Sequence, residues 1–193
     1  MRKLLTVFFV LSFFVTLSFG QDYAKKGVWE LAGTLSFYST TSVSDGETAD
    51  ESSTNISLDP MFGYFVIDGF ILGFAPMYSS YTYGDYTSNS LELFIAPGYV
   101  LDLQSNVYPF IHALVGYNTS TYNTGVAGAE DQTFSGISYG ARGGVKVLLG
   151  KNALVNFGAQ YIMVTSNPKD WEGDRNGYNQ FGIIVGFTVF VGN

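Results

Sequence analysis

About eight stretches of this chain alternate between apolar and mixed residues, and that alternation limits its fold more than any other feature. In the last of them, QFGIIVGFTVFVGN from Gln180 to Asn193, the residues Phe181, Ile183, Val185, Phe187, Val189 and Val191 are all apolar. Gln180, Gly182, Ile184, Gly186, Thr188 and Phe190 fall between them. Successive side chains of a strand point to opposite faces. The stretch therefore reads as one strand with a uniformly apolar face and a crowded, semi-polar one.

The same pattern recurs upstream. Val28–Tyr38 sets Trp29, Leu31, Leu35 and Phe37 against Glu30, Ala32, Thr34 and Ser36. Asn55–Ile67 sets Ile56, Leu58, Phe62, Tyr64 and Val66 against Ser57, Asp59, Met61, Gly63 and Phe65. Phe70–Tyr83 and Ser90–Leu101 follow, then Val107–Asn118, Phe134–Leu149 and Ala153–Val164. The connections alternate in length. Asp68-Gly69, Asp102–Asn106 and Gly150–Asn152 are short, with tight-turn chemistry. Ser39–Thr54, Gly84–Asn89, Thr119–Thr133 and Thr165–Gly177 are expected as long, exposed loops rich in Ser, Thr, Asp and Glu.

Two eight-stranded closures can use such strands. A soluble barrel puts its apolar face inside and a dense Lys/Glu face outside. A membrane barrel inverts this, with lipid around the apolar face and small or polar residues filling the lumen. Here the uniform face is the apolar one, and Lys146 is nearly the only lysine in the strands. Charged residues make up 13% of the chain and aromatic residues 17%. The expected fold is an all-β, eight-stranded antiparallel up-and-down transmembrane β-barrel, with short periplasmic turns and long extracellular loops. Pro60, Pro76, Pro97 and Pro109 fall in or near strands and are expected at bulges or at the membrane interface, since proline cannot donate to a ladder.

The first twenty residues read as a cleaved signal peptide. Met1-Arg2-Lys3 is a positive start, Leu4 to Leu17 an apolar core, and Ser18-Phe19-Gly20 a small-residue cleavage site. Residues 21–193 then form one barrel domain in the bacterial outer membrane. Cleavage removes Arg2 and Lys3 and takes the formal charge from −7 to −9. So acidic a chain is poorly suited to nucleic acid. With no cysteine there is neither a disulfide framework nor a thiolate metal site, and no cofactor is expected.

The stretch PMFGYFVIDGFILGF, Pro60 to Phe74, resembles the glycine hairpin of small bacterial outer-membrane β-barrel domain proteins, and YPFIHALVGY, Tyr108 to Tyr117, resembles their proline-aromatic strand. That resemblance implies the OmpA/OmpX-like eight-stranded barrel, outer-membrane lipid as its surroundings, insertion by the barrel assembly machinery, and a monomer.

The mixed face carries Glu30, Asp59, Glu92, His112, Arg142 and Lys146. Counting up from the short turns suggests a lumen network, with Lys146 paired to Glu30 and Arg142 to Glu92 or Asp59. Unpaired charges in so narrow a space are costly. His112, the only histidine, is expected as a hydrogen-bonded interior residue rather than the general base of a lipid-modifying enzyme. Tyr78, Tyr81, Tyr83, Tyr86, Tyr117 and Tyr122 are expected in the outer aromatic girdle. Asp170-x-Glu172-x-Asp174 hints at a hard cation, but Arg175 stands where a calcium loop needs glycine, so solvated loop acids are the expectation and no metal site is assigned.

Overall fold

A computed structural model describes residues 23–44, 47–126, 130–165, 167–168 and 177–192. The expected signal peptide and the Asp170–Asp174 acids lie outside the described residues. The strands are β1 (Trp29–Ser44), β2 (Glu47–Ile67), β3 (Phe70–Tyr83), β4 (Tyr86–Val100), β5 (Val107–Asn123), β6 (Gln132–Leu148), β7 (Ala153–Thr165), the two-residue β8 (Asn167–Pro168) and β9 (Gly177–Val191). Eight long strands pair in antiparallel sequence order. β5–β6 and β1–β9 complete the ring, and β8 adds a short pairing to β6.

The barrel is inverted, as the alternation requires. Phe181, Ile183, Val185 and Phe187 are exposed, while on the other face of the strand Gly182 and Ile184 are half-buried and Gly186, Thr188 and Phe190 are buried. Leu72, Phe74, Leu93, Ile95, Ile111 and Val115 continue the exposed apolar belt around the wall. Trp29, Tyr64 and Tyr99 lie on this face near the turn end, and Tyr78, Tyr117, Tyr139 and Tyr161 near its far edge. The lumen holds more hydrocarbon than the sequence suggested. Met61, Phe65, Ile71, Phe94, Leu114, Leu154 and Ile162 fill it beside the polar residues, as suits a barrel whose interior is just wide enough for side chains.

Much of the first three expected long loops is strand, and most of the fourth, Thr165–Gly177, lies outside the described residues. β1 and β2 remain paired out to Ser44↔Glu47, so almost all of Ser39–Thr54 is ladder. Between β3 and β4 only Gly84 and Asp85 remain outside the pairing Tyr83↔Tyr86. The third connection shrinks to residues 124–131. These stretches are polar because they stand beyond the apolar belt, and threonine and tyrosine keep their liking for extended backbone there.

The prolines are not at bulges. Leu58↔Tyr78 and Phe62↔Phe74 belong to one unbroken register, with Pro60 and Pro76 opposite each other inside the gap between them. Likewise the β4–β5 register runs unshifted from Ile95↔Val115 to Gly98↔His112 past Pro97. Pro60, Pro76 and Pro97 each only omit rungs on one side, and Pro109 pairs with Val145 in an unshifted register. Register shifts occur instead between Thr41 and Val43 and between Phe65 and Ile67. Gly69 has φ +76° in the β2–β3 turn, a conformation that favours glycine.

One joint is shorter than the rest. β1 pairs with β9 only from Trp29↔Val191 to Gly33↔Phe187, whereas β9 pairs with β7 along its whole length, out to Thr165↔Gly177. Beyond Gly33 the first and last strands are no longer laddered among the described residues.

Candidate functional site: a plugged lumen

The turn end of the lumen is closed by a segment that precedes the first strand. Gly27 N–H donates to the Phe65 carbonyl at 2.8 Å, Gly69 N–H to the Ala24 carbonyl at 2.8 Å, and Lys26 N–H to Asp68 Oδ1 at 2.8 Å. These bonds turn Tyr23 into the barrel, where it is 1% exposed. Its ring packs edge-on against Phe65 and Tyr108, with centroids 5.4 and 5.0 Å away, and tilted against Phe190 at 4.9 Å.

Lys146 and Glu30 meet at this level. Lys146 Nζ lies 2.7 Å from Glu30 Oε2 and 2.9 Å from Oε1, and donates to Tyr23 Oη at 2.8 Å. The Tyr23 hydroxyl in turn donates to Glu30. The ammonium also lies 5.3 Å from the Phe110 ring centre and 5.4 Å from that of Tyr23. Burial pushes the Tyr23 phenol well above its usual range, and the Glu30 carboxylate beside it adds to the shift. Nothing in the alternation pointed to Tyr23, which belongs to no strand. Only its place just after the expected cleavage site marked it.

Arg142 forms no ion pair with Glu92 or Asp59. Its nearest polar contact is Nη2 to Met77 Sδ at 4.0 Å, and its Nε has no protein partner. Arg142 on β6 lies beside His112 and Gln160 on its neighbouring strands and reaches over the lumen to Met77 on β3, between the strands of Asp59 and Glu92, without coming within ion-pair distance of either carboxylate. Thr34 donates to Asp59 Oδ2 at 3.3 Å, and Glu92 Oε2 is buried without a partner.

His112 is buried, but it is not hydrogen-bonded as expected. Neither ring nitrogen has a protein partner, and the ring lies 5.3 Å from that of Phe110. Gly98 opposite makes room for it, since a Cβ there would stand 1.8 Å from His112 Cδ2. No acid orients the imidazole and no hydroxyl bonds it, so no nucleophile–base–acid chain is built around it among the described residues.

Two chambers lie above the plug. The lower, about 30 Å³, is bounded by Met61, Phe110, His112, Arg142, Lys146 and Asn156, and reaches the wall at Gly33, Thr34 and Ile184. The upper, about 110 Å³, lies between Asp59 and Glu92. Asp59 and Gln160 border both.

The register redistributes the expected girdle. Tyr78 and Tyr117 are on the outer face, 43% and 54% exposed. Tyr81, Tyr83, Tyr86 and Tyr122 share the parity of the lumen face at the far mouth. There Tyr81 meets Tyr86 at 6.2 Å and Tyr122 meets Phe134 at 5.3 Å. Trp29, Tyr64, Tyr99, Tyr139 and Tyr161 take outer positions instead. Counting parity from each short turn would have found them.

No family model matches the sequence, and no curated protein matches it. Solved structures do share its architecture. The crystal structure of Neisserial surface protein A superposes with a TM-score of 0.55 at 20% identity, covering 87% of this chain and 98% of that one. That of the outer membrane protein OprG from Pseudomonas aeruginosa gives 0.54 at 13% identity, covering 88% and 98%. The fold is that of the small bacterial outer-membrane barrels, a closed eight-stranded antiparallel barrel.

Proposed function

We propose that this chain is a non-enzymatic outer-membrane barrel. In this reading it is exported by the segment Met1–Gly20 and inserted by the barrel assembly machinery. Its lumen is a stopper rather than a channel, and its working surface is the set of strands and connections that stand beyond the apolar belt, serving envelope integrity or adhesion. The observation that carries this reading is the plug, in which Tyr23, Glu30 and Lys146 join across the lumen among Phe65, Tyr108, Phe110 and Phe190. The exposed apolar belt supports the membrane assignment, because lipid is the solvent in which such a face costs nothing. The acidic far end, with Asp85, Glu130 and Asp131 exposed, supports a hydrated outer surface.

Planar-bilayer recording of the refolded protein tests it. The wild type is expected to be silent, with current appearing when Tyr23→Ala and Lys146→Ala are combined. Steady current from the wild type would replace this reading with a second one, a narrow path for small solutes through the lumen or for apolar molecules through a side opening. The two chambers and the unladdered β1–β9 joint beside one of them favour that alternative.

A further inference from the structure

The upper chamber has the makings of a ligand site that the plug does not explain. It is bordered by Asp59, Glu92, Ser57, Ser90, Gln160 and Tyr178, with Met77 in its wall. Glu92 is only 8% exposed, and its Oε2 faces no hydrogen-bond donor of the protein. Asp59 has a single long bond from Thr34, at 3.3 Å. Buried carboxylate oxygens call for donors, and leaving one unmatched is costly.

Formal charge points the same way. Lys146 and Glu30 neutralise each other in the plug. That leaves Arg142 against both Asp59 and Glu92, one positive charge short, with Arg142 outside the upper chamber and bordering the lower one. The other groups at the wall are hydroxyls and amides, which adapt as donors or acceptors. Three or more carboxylate or imidazole groups suited to a bare metal ion do not cluster anywhere among the described residues. At about 110 Å³ the chamber exceeds a single ion and falls short of a cavity that takes benzene, which is on the order of 150 Å³.

We propose that the chamber between Asp59 and Glu92 binds a small organic cation, the ammonium or guanidinium group of a compact amine. The cation donates to Glu92 Oε2 and to Asp59, and its short hydrocarbon part rests on Met77. The site does not depend on whether the lumen conducts, so a silent or a conducting barrel leaves it equally open to test.

Methionine-methyl NMR of the refolded protein in detergent micelles reads it directly. Met77 borders the upper chamber, Met61 borders the lower one, and Met163 borders neither. Methylammonium and methylguanidinium are titrated separately, with magnesium and calcium chloride at matched ionic strength. The expected result is a saturable shift of the Met77 signal with at least one amine, little change at Met163, and at least tenfold weaker binding in Glu92→Gln. Asp59→Asn provides a second variant should Glu92→Gln fail to fold. Absence of a saturable Met77 shift, unchanged affinity in the folded variants, or saturation by the divalent ions alone would overturn the proposal.

Discussion

Lys146 and Glu30, on β6 and β1, hold each other across the lumen at 2.7 Å with both side chains almost wholly out of water. Two ions removed from water gain from one another little more than they lose in hydration, but either one left alone loses heavily. Lys146→Met should therefore destabilise the barrel by about 3–5 kcal/mol. Adding Glu30→Met should recover most of that loss. Urea unfolding in micelles, followed by heat-modifiable gel mobility, measures both. A double variant as weak as the single would show that the pair is more than mutual compensation.

Tyr23 makes the plug sensitive to alkali. A phenol whose folded pKa is raised contributes stability fully below its unfolded value, near 10.0, and that contribution is lost as pH rises through the folded value. Phenolate absorbance on titration should show tyrosines ionising later than the exposed ones, and Tyr23→Phe should reduce that late step by one tyrosine. The opposite sign applies at Asp102, outside the wall, which Gln104 N–H and then Lys25 hold below its usual range. Its contribution is present above about pH 4 and fades as pH falls. Being exposed, it matters little to overall stability.

Gly98 leaves room for His112 and for the Ile111 carbonyl, which a Cβ there would meet at 1.8 and 2.6 Å. Gly98→Ala would press a methyl group against the imidazole, and overpacking of this kind costs about 1–3 kcal/mol. Gly98→Ala combined with His112→Ala should be more stable than Gly98→Ala alone. Thermal unfolding of the three variants decides whether the clash or the strand backbone is responsible.

The short joint can be probed with cysteines, since the chain has none of its own. Leu31 and Val189 are paired across β1 and β9, whereas Leu35 and Val185 would be paired only if the ladder continued. A Leu31→Cys/Val189→Cys pair should oxidise readily and a Leu35→Cys/Val185→Cys pair slowly, because a disulfide needs Cα atoms within about 7 Å. Equal rates would mean that the upper joint closes in the membrane.

The face of most residues in the membrane-crossing runs was legible because the sequence alternates there, although four of the six girdle tyrosines, Tyr81, Tyr83, Tyr86 and Tyr122, fell on the other face. Leu91, Leu93 and Ile95 point out, and Glu92, Phe94 and Ala96 point in, on the strength of parity alone. Strand ends were not legible, because threonine, serine and tyrosine serve a polar strand above a membrane as well as they serve a loop. Side-chain meetings across the lumen were readable only in part. Lys146 and Glu30 could be matched by height above the turns, yet the same counting paired Arg142 with acids it does not reach. Width depends on the small residues at each level, which no single strand discloses. Tyr23 had no periodicity to betray it, since it acts as a peg from outside the wall.

β2 runs for 21 residues from Glu47 to Ile67, about 70 Å of extended chain, whereas a tilted strand crosses a bilayer in about ten residues. Its outer half, laddered to β1 as far as Ser44, stands clear of the lipid like a mast. Whatever meets the paired part of that hairpin meets laddered strand. A floppy tether must be caught and stilled before it can bind, at an entropic cost for every residue ordered. A paired ribbon has already surrendered that freedom on folding, so weak contacts along its laddered length retain more of their strength.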